Sequence, residues 1–269
     1  MASVSTGERW ALILGASSGF GGATALELAR NGFHIAGVHL DRKATMVNVE
    51  QLQQQIQQLG RQAAFFNINA ADPIRRQEVL DQLQPKLQSS NPAGRIGVLM
   101  HSLAFGTLKP FISDDPKNVI TKDSMDMTMD VMANSLVYWS QDIVARKMMS
   151  EGGRIFSMTS SGGTRVWPNY GAVSGAKAAL ESHTRQLALE LAPLGIAVNC
   201  IRAGVTDTAA LRKIPGHEEM IEFATLRNPH KRLTTTQDVA RAIVLLTDPR
   251  SQWITGNVIG VDGGEDVVG

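Results

Sequence analysis

The sequence predicts an α/β fold, with one parallel, doubly wound sheet covered by helices on both faces. Short apolar runs alternate with longer stretches of helical periodicity along the whole chain, and the first run leads into a glycine-rich turn. This alternation is typical of βαβ units, whose strands pair in parallel. No Pro/Ser-rich linker or break in composition interrupts it, so we expect residues 1–269 to form a single domain.

Seven apolar runs of strand length define the predicted seven-stranded sheet. They span residues 10–14, 33–40, 63–68, 96–102, 154–159, 196–201 and 258–261. Helical periodicity predicts helices over 21–31, 45–59, 72–84, 124–150, 171–192 and 236–246. Two long segments, 104–122 and 206–229, follow predicted strands. They therefore belong at the carboxyl ends of the strands, where open α/β sheets bind ligands.

Composition excludes several classes of function. Lys and Arg number 26 and Asp and Glu 25, so no basic field is available to hold a nucleic acid backbone. The only cysteine, Cys200, can form neither an internal disulfide nor a zinc cluster, and we expect no metal site. The sequence has no apolar stretch of membrane-spanning length, and its polar start, MASVSTGERW, lacks a leader pattern, so we expect a cytoplasmic protein.

The glycine-rich turn after the first strand has the composition of a phosphate-binding loop. It reads GASSGFG at residues 15–21 and opens the first predicted helix. Glycines permit the tight turn and let backbone amides at the helix start approach a pyrophosphate. The sequence therefore predicts a Rossmann-type dinucleotide site. Its predicted phosphate contacts are Gly15, Ser17, Ser18, Gly19, Phe20 and Gly21.

The end of the second strand bears on which dinucleotide is bound. An acidic residue 18 positions after Gly21 would bind the ribose 2′-hydroxyl of NAD, but that position is His39. Arg42 and Lys43 follow and suit a 2′-phosphate, whereas Asp41 argues the other way. We count His39, Arg42 and Lys43 among the expected cofactor contacts. We therefore predict NADP(H) over NAD(H). The alternative for Arg42 and Lys43 is that they form a solvated pair in the loop and contact no phosphate.

Tyr170 and Lys177 form the candidate catalytic pair. Tyr170 precedes the predicted helix 171–192, and Lys177 follows seven residues later. Seven helical steps turn by about 700°, which returns to nearly the same face, so both side chains can meet one cleft. An ammonium near a phenol lowers the pKa of the phenol, and the pair suits proton donation or oxyanion stabilisation.

The same spacing carries a resemblance to a known family. Most short-chain dehydrogenases have Tyr-x3-Lys, whereas Tyr170 followed by Lys177 looks like the enoyl-acyl carrier protein reductase branch. HSLAF at 101–105 is similar to the enoyl reductase version of the segment after the fourth strand. RAGVTDT at 202–208 resembles the nicotinamide segment of the family, and VDGG at 261–264 closes the resemblance.

The resemblance implies roles for further residues. Lys177 would bind the nicotinamide ribose, and Phe105 would line an acyl pocket or pack the loop. Asn67 and Ile68 stand where the family binds adenine. The other implied cofactor contacts are Ser102, Leu103, Ala104, Gly204, Val205, Thr206 and Thr208.

Three positions depart from the family pattern. Val205 replaces a proline of the nicotinamide segment. Ser160 stands where many enoyl reductases have another tyrosine, which resembles both the branch of the Bacillus-type NADPH enzyme and the ketoreductases; we expect Ser160 to share the substrate oxygen with Tyr170. Met132 occupies the place of the catalytic asparagine of the superfamily, which opposes a ketoreductase proton relay.

The resemblance implies an enoyl-[acyl-carrier-protein] reductase of fatty acid biosynthesis. Such an enzyme transfers hydride from NAD(P)H to the β-carbon of a trans-2-enoyl thioester on acyl carrier protein or CoA. The alternatives are a short-chain ketoreductase or alcohol dehydrogenase and a non-catalytic NADP-binding regulatory protein. The resemblance also implies a homotetramer, and we expect a substrate lid at about 206–229.

Overall fold

The sheet of the computed structural model, which describes residues 7–90 and 92–268, is parallel throughout. In these residues the strands are β1 (Arg9–Leu14), β2 (His34–His39), β3 (Ala63–Asn67), β4 (Arg95–His101), β5 (Arg154–Ser160), β6 (Ala197–Ala203) and β7 (Val258–Val261). Their order is β3-β2-β1-β4-β5-β6-β7. The predicted Rossmann-type sheet is confirmed, and its strand order reverses between β1 and β4, where such sheets bind dinucleotides.

Helices cover both faces of the sheet. They are α1 (Gly19–Arg30), α2 (Met46–Gln58), α3 (Pro73–Gln88), α4 (Lys122–Met129), α5 (Ser135–Ala145), α6 (Gly171–Leu191), α7 (His217–Arg227) and α8 (Thr236–Leu245). α3 continues past Pro85, beyond its predicted end at residue 84. No helix in the described part of the chain is both long and apolar enough to cross a membrane.

β1 shows how the sheet separates two apolar cores. Trp10, Leu12 and Leu14 join the core beneath α3, α5 and α6. Ala11 and Ile13 point the other way and join the core beneath α1, α2 and α8. All five side chains are fully buried. Because successive strand residues face opposite sides, a strand buried on both faces needs a continuous apolar run.

The predicted helix 124–150 is wrong in its continuity and its end. A π-helical turn, Asp130–Asn134, separates α4 from α5, and α5 ends at Ala145. The wider turn changes the spacing between buried residues before and after it. A prediction that assumes 3.6 residues per turn throughout does not detect this change. After α5 the chain reverses at Lys147, whose φ is 54°, and Met148 returns to the core.

The segment 206–229 contains a helix that the sequence pattern does not reveal. α7 begins after Gly216, whose φ is 77°, and Glu218 lies in its first turn, where the helix dipole favours an acidic residue. Ala224 is the only buried residue of this helix, whereas Phe223 and Leu226 are exposed. Without a buried stripe, α7 lacks the periodicity from which helices are predicted.

Candidate active site

The turn between β1 and α1 forms a cradle that requires glycine. Gly15 has a φ of 87°, and a Cβ there would collide with the carbonyl oxygen of Ser102. A Cβ on Gly21 would collide with the carbonyl oxygen of Gly15. The Gly15 amide donates to the Val38 oxygen at 2.8 Å, which holds the turn against β2. The turn can therefore adopt this tight conformation only because these side chains are absent.

The first turn of α1 keeps its amides available for an anion. Gly19 begins the helix with a φ of 56°, and Ser18 at the N-cap forms no side-chain capping bond. Ser17 and Phe20 border the same turn. Unpaired amides and the positive end of the helix dipole favour phosphate here. The cradle and the open helix start therefore fit the pyrophosphate of a dinucleotide.

The segment after β4 closes this cradle from the opposite side. The Ser102 amide donates to the Leu14 oxygen at 2.9 Å. Leu103 lies 3.5 Å from the position that a Cβ on Gly15 would occupy. Ala104, which is also expected to contact the cofactor, is exposed.

His101 at the end of β4 is buried behind the site rather than open to it. Its Nε2 lies 2.8 Å from the Ser135 hydroxyl, and its Nδ1 has no partner among the described residues. Burial lowers the pKa of His101 to about 3, with the Lys177 charge acting in the same direction. The ring is therefore neutral, which suits a packing role at the end of β4.

Asp41 is the acidic group that faces the glycine turn. Its carboxylate lies 3.0 Å from the Nδ1 of buried His39. Burial raises the pKa of Asp41, but hydrogen bonds with Thr45, Ser17 and His39 outweigh that effect and hold the pKa below its usual range. The ionised carboxylate is therefore already held by internal partners.

Two exposed cations follow Asp41. In the described structure the side chains of Arg42 and Lys43 form no hydrogen bond or ion pair. Asn67, at the end of β3, fixes the Asp41 backbone through two hydrogen bonds of 3.0 Å. Asn67 and the neighbouring Ile68 thus lie beside this loop, at the carboxyl edge of the sheet.

Ser160, Tyr170 and Lys177 converge at the carboxyl end of β5. Ser160 is the last residue of β5, Tyr170 immediately precedes α6, and Lys177 lies on α6. The Lys177 ammonium donates to the Met158 carbonyl at 2.6 Å. The Tyr170 hydroxyl lies close to Ser160, whose buried Oγ has no partner of good geometry in the described residues. An unpaired buried hydroxyl next to a phenol suits a substrate oxygen.

The protonation states differ from the sequence prediction in one respect. The sequence predicts a lowered pKa for Tyr170, but burial raises its pKa, and the nearby Ser160 hydroxyl opposes the rise only in part. The prediction is wrong because Lys177 directs its ammonium to the Met158 carbonyl. Burial lowers the pKa of Lys177 to about 8, against the opposing effects of Cys200 and Glu181. Tyr170 is therefore a neutral phenol able to donate a proton.

Sequence reasoning misses two residues that shape the pair. A Cβ on Gly162 would lie 2.5 Å from the Tyr170 ring, so glycine lets the ring pack against the loop after β5. Glu181 accepts a hydrogen bond from Thr159 at 2.7 Å. Glu181 follows Lys177 by four residues, so both lie on one helix face, and this spacing could have indicated the role of Glu181. No local sequence feature indicates the role of Gly162.

The segment after β6 is tied to the last strand. The Gly204 amide donates to the Val261 oxygen at 3.2 Å, and the Thr206 hydroxyl donates to the Gly204 oxygen at 3.0 Å. The Val205 amide donates to the carboxylate of Glu265 at 3.1 Å. Sequence reasoning misses Glu265 too. Valine in place of proline at position 205 adds a backbone N–H, and this N–H could have indicated that a hydrogen-bond acceptor lies nearby.

Thr208 brings this segment next to the glycine turn. Its Cγ2 lies 3.9 Å from the position that a Cβ on Gly19 would occupy. Its hydroxyl accepts from the Leu211 amide at 3.2 Å and so caps a short turn. The two expected cofactor segments, after β1 and after β6, therefore meet at one edge of the sheet.

A cleft of about 310 Å³ opens beside Tyr170. Its lining is mostly apolar and includes Lys109, Phe111, Val166, Trp167, Tyr170 and Ser174. Phe105 lies outside this lining and is 58% exposed. A larger groove of about 580 Å³, bordered by Arg9 and Arg250, lies at the amino ends of the strands, away from Tyr170. We take the smaller cleft as the candidate substrate site because it contains the candidate catalytic group.

Comparison with known proteins agrees with this geometry. A family model described as enoyl-(acyl carrier protein) reductase matches residues 15–265. An uncharacterized oxidoreductase of Bacillus subtilis, YjdA, is 29% identical over 259 residues, which cover 96% of each chain. The enoyl-[acyl-carrier-protein] reductase [NADH] FabI of a Nostoc species is 31% identical over 205 residues, which cover 76% of each chain.

A solved structure shows the same fold. The short chain dehydrogenase from Burkholderia cenocepacia, in complex with NADP, has a TM-score of 0.79 and 27% identity, with 96% of this chain and 98% of that chain covered. The family match begins at Gly15 and ends at Glu265, so it spans the glycine turn, the Tyr170–Lys177 pair and the loop after β6. The chain therefore belongs to the enoyl-(acyl carrier protein) reductase type of the short-chain dehydrogenases, a family of nicotinamide-dependent oxidoreductases.

Proposed function

We propose that the protein is an enoyl-thioester reductase acting in fatty acid biosynthesis on acyl chains carried by acyl carrier protein or CoA. The observation that carries the proposal is the neutral Tyr170 phenol beside the unpaired Ser160 hydroxyl, with buried Lys177 at Tyr-x6-Lys spacing. The apolar cleft at Tyr170 suits an acyl chain.

The chain's own groups hold the substrate oxygen and supply a proton. A bound nicotinamide dinucleotide supplies the hydride for the β-carbon of a trans-2-enoyl thioester. Tyr170 and Ser160 donate hydrogen bonds to the thioester oxygen, where negative charge develops. Because Tyr170 stays protonated at neutral pH, it is also the nearest proton donor. Lys177 adds a buried positive charge that favours the same anion.

NADPH is the proposed hydride donor. Asp41 already accepts hydrogen bonds from groups of its own chain, while Arg42 and Lys43 stand next to it with no internal partner among the described residues. Two such cations suit a 2′-phosphate. Initial rates with NADPH and NADH test this, and Arg42→Ala should raise KM for NADPH more than for NADH. Equal KM values for both donors, unchanged by Arg42→Ala, would contradict it.

The segment 206–229 is the proposed substrate lid. It follows β6, starts beside the glycine turn at Thr208 and carries α7, whose Phe223 and Leu226 are exposed. The segment touches the cleft through Trp167 of the lining, whose indole N–H donates to the Pro215 oxygen at 3.0 Å. Exposed apolar side chains carried by such a segment can gain contacts when an acyl chain is bound.

Ser160 also favours a second candidate, a short-chain ketoreductase. A serine beside the catalytic tyrosine suits a ketone oxygen as well as a thioester oxygen. Against it, Met132 is buried where that reaction class has an asparagine, and a Cβ on Gly106 would lie 2.9 Å from its sulfur. Met132 has no group to relay a proton.

One assay separates the candidates. Consumption of NADPH is followed at fixed enzyme concentration with crotonyl and longer enoyl thioesters and with 3-ketoacyl thioesters. We expect turnover with the enoyl substrates, and Tyr170→Phe should lose most of it while NADPH binding is retained. Turnover with ketoacyl substrates alone would select the ketoreductase, and NADPH binding without turnover would select a regulatory protein. Tyr138→Phe is the matched control, because Tyr138 lies away from the cleft on α5.

We also propose a homotetramer built on α4, α5 and α6. Tyr138 on α5 and Leu189 on α6 are 37% and 70% exposed, although both helices also bury apolar residues against the sheet. Helices with apolar residues on more than one side are suited to pack against another chain. Sedimentation or light scattering measures the mass in solution, and a monomeric mass would contradict the assembly.

A further inference from the structure

The backbone amide of Val205 needs a partner that a proline at this position would not need. Val205 stands where the resembling family segment carries proline, which has no N–H. Gly204 before it is buried, and Thr206 after it is 7% exposed. An amide in such a stretch is costly to leave unpaired.

Glu265 supplies the partner from far along the chain. Its carboxylate accepts from the Val205 amide, with one oxygen at 3.1 Å and the other at 3.4 Å. Glu265 lies 60 residues after Val205 and is 9% exposed. It is reached through Gly264, whose φ of 84° turns the chain back over the loop after β6. The bond therefore joins the end of the described chain to the dinucleotide-binding edge.

The residues around this hydrogen bond are tightly packed. A Cβ on Gly204 would lie 2.9 Å from the Glu265 Oε2 and would collide with the hydroxyl of Thr234. Thr234 is 5% exposed, so it cannot swing into solvent. The carboxylate thus packs directly on the loop backbone, and Gly204 makes that approach possible.

The bond does not depend on a negative charge. Burial raises the pKa of Glu265; the Val205 hydrogen bond and Arg227 oppose the rise, while Asp262 and Asp266 reinforce it. Ionising a buried carboxyl near two other carboxylates is costly. A neutral amide with the same shape would accept the hydrogen bond without that cost.

We propose that Glu265 is a positioning residue for the nicotinamide-binding loop, residues 204–208: it holds the Val205 amide and so restrains the loop at the position where the resembling family segment has proline. The loop meets the start of α1 where Thr208 approaches Gly19. A loop released at Val205 would no longer be preorganised for the cofactor. The proposal rests on the cofactor class and not on which substrate is reduced.

Three variants test the proposal by the Kd for NADPH, read from the fluorescence of the bound nucleotide. Glu265→Leu removes the acceptor and should weaken binding by about tenfold, as expected for one partly buried amide left without its partner. Glu265→Gln keeps an acceptor and should stay within about threefold of wild type. Glu265→Leu with Val205→Pro removes the orphaned amide and should recover most of the loss.

Hydrogen exchange of residues 203–208 gives a second readout without any cofactor. Glu265→Leu should speed exchange at residues 206–208, and adding Val205→Pro should slow it again. Glu50→Leu, at an exposed position of α2, is the control and should change neither readout. Wild-type binding and exchange in Glu265→Leu, or no recovery in the double variant, would overturn the proposal.

Two further results are equally decisive. If Glu265→Leu does not fold, recovery of folded protein in the double variant supports the proposal, and failure of both variants contradicts it. If the wild type bound neither NADPH nor NADH, the proposed function would fail, but the exchange data would still test Glu265.

Discussion

Lys177→Met tests whether the candidate catalytic lysine is held as a buried charge. Lys177 is 6% exposed, and burial lowers its pKa from 10.5 to about 8. At about 1.4 kcal/mol per pH unit, the interval between these values corresponds to about 3 kcal/mol of unfolding free energy. Between these pH values the Lys177 side chain is protonated in the unfolded chain and neutral in the folded chain. The unfolding free energy of the wild type therefore rises with pH in this range. Below about pH 8 the ammonium is charged in both states, and the destabilisation caused by burying it is complete.

Methionine has no proton to lose, so this pH dependence should disappear in the variant. The difference in unfolding free energy, variant minus wild type, should fall by about 2 kcal/mol between pH 7 and pH 9.5. The variant also leaves the Met158 carbonyl without its 2.6 Å hydrogen bond. That loss costs about 1–3 kcal/mol at every pH, so the diagnostic quantity is the change with pH.

Urea unfolding at the two pH values measures the difference. His101, Cys200 and Glu181 also face the ammonium, but they are present in both proteins and their own titration largely cancels. Lys86→Met, the same change at an exposed position of α3, is the matched control and should follow the wild type. An equal stability difference at pH 7 and pH 9.5 would refute the buried charge.

Three other predictions concern the surroundings of the pair. Gly162→Ala places a Cβ 2.5 Å from the Tyr170 ring, so kcat should fall by about tenfold or more while NADPH still binds; an unchanged kcat would show that the ring need not pack there. Burial raises the pKa of Cys200 from 9.0 to about 11, which leaves about a hundredfold less thiolate at neutral pH; a thiol reagent should react much faster after unfolding, and equal rates would contradict this. Glu181→Gln removes a charge that favours the Lys177 ammonium, so the alkaline loss of activity should move to lower pH; an unshifted profile would argue against the coupling.

The strands could be predicted from the sequence because the sheet is buried on both faces. Each strand is then an apolar run, and glycine or polar residues mark its end. The π-helical turn Asp130–Asn134 and the helix α7 could not be predicted in this way. The first changes the helical period within a continuous apolar pattern, and the second has almost no buried face.

Some residues of the candidate site could be predicted from the sequence and others could not. Gly15, Gly21, Tyr170 and Lys177 lie in local motifs, and the structure places them at one end of the sheet. The residues that hold these groups in place can lie far away in the sequence. Glu265 reaches its partner across 60 residues, and a short motif contains no sign of it. Local motifs therefore indicate which groups are candidates for the chemistry, and tertiary packing determines how those groups are held.

The protonation of the pair shows what packing adds to a motif. Burial acts on both residues in favour of the uncharged form, so it raises the pKa of Tyr170 and lowers the pKa of Lys177 to about 8. Below about pH 8 the phenol is neutral and the ammonium is charged, which is the combination that proton donation and anion stabilisation need. As the pH rises, Lys177 loses its proton before Tyr170 does. If the pair is catalytic as proposed, we expect the lysine to set the alkaline limit of activity and Glu181 to move that limit to higher pH.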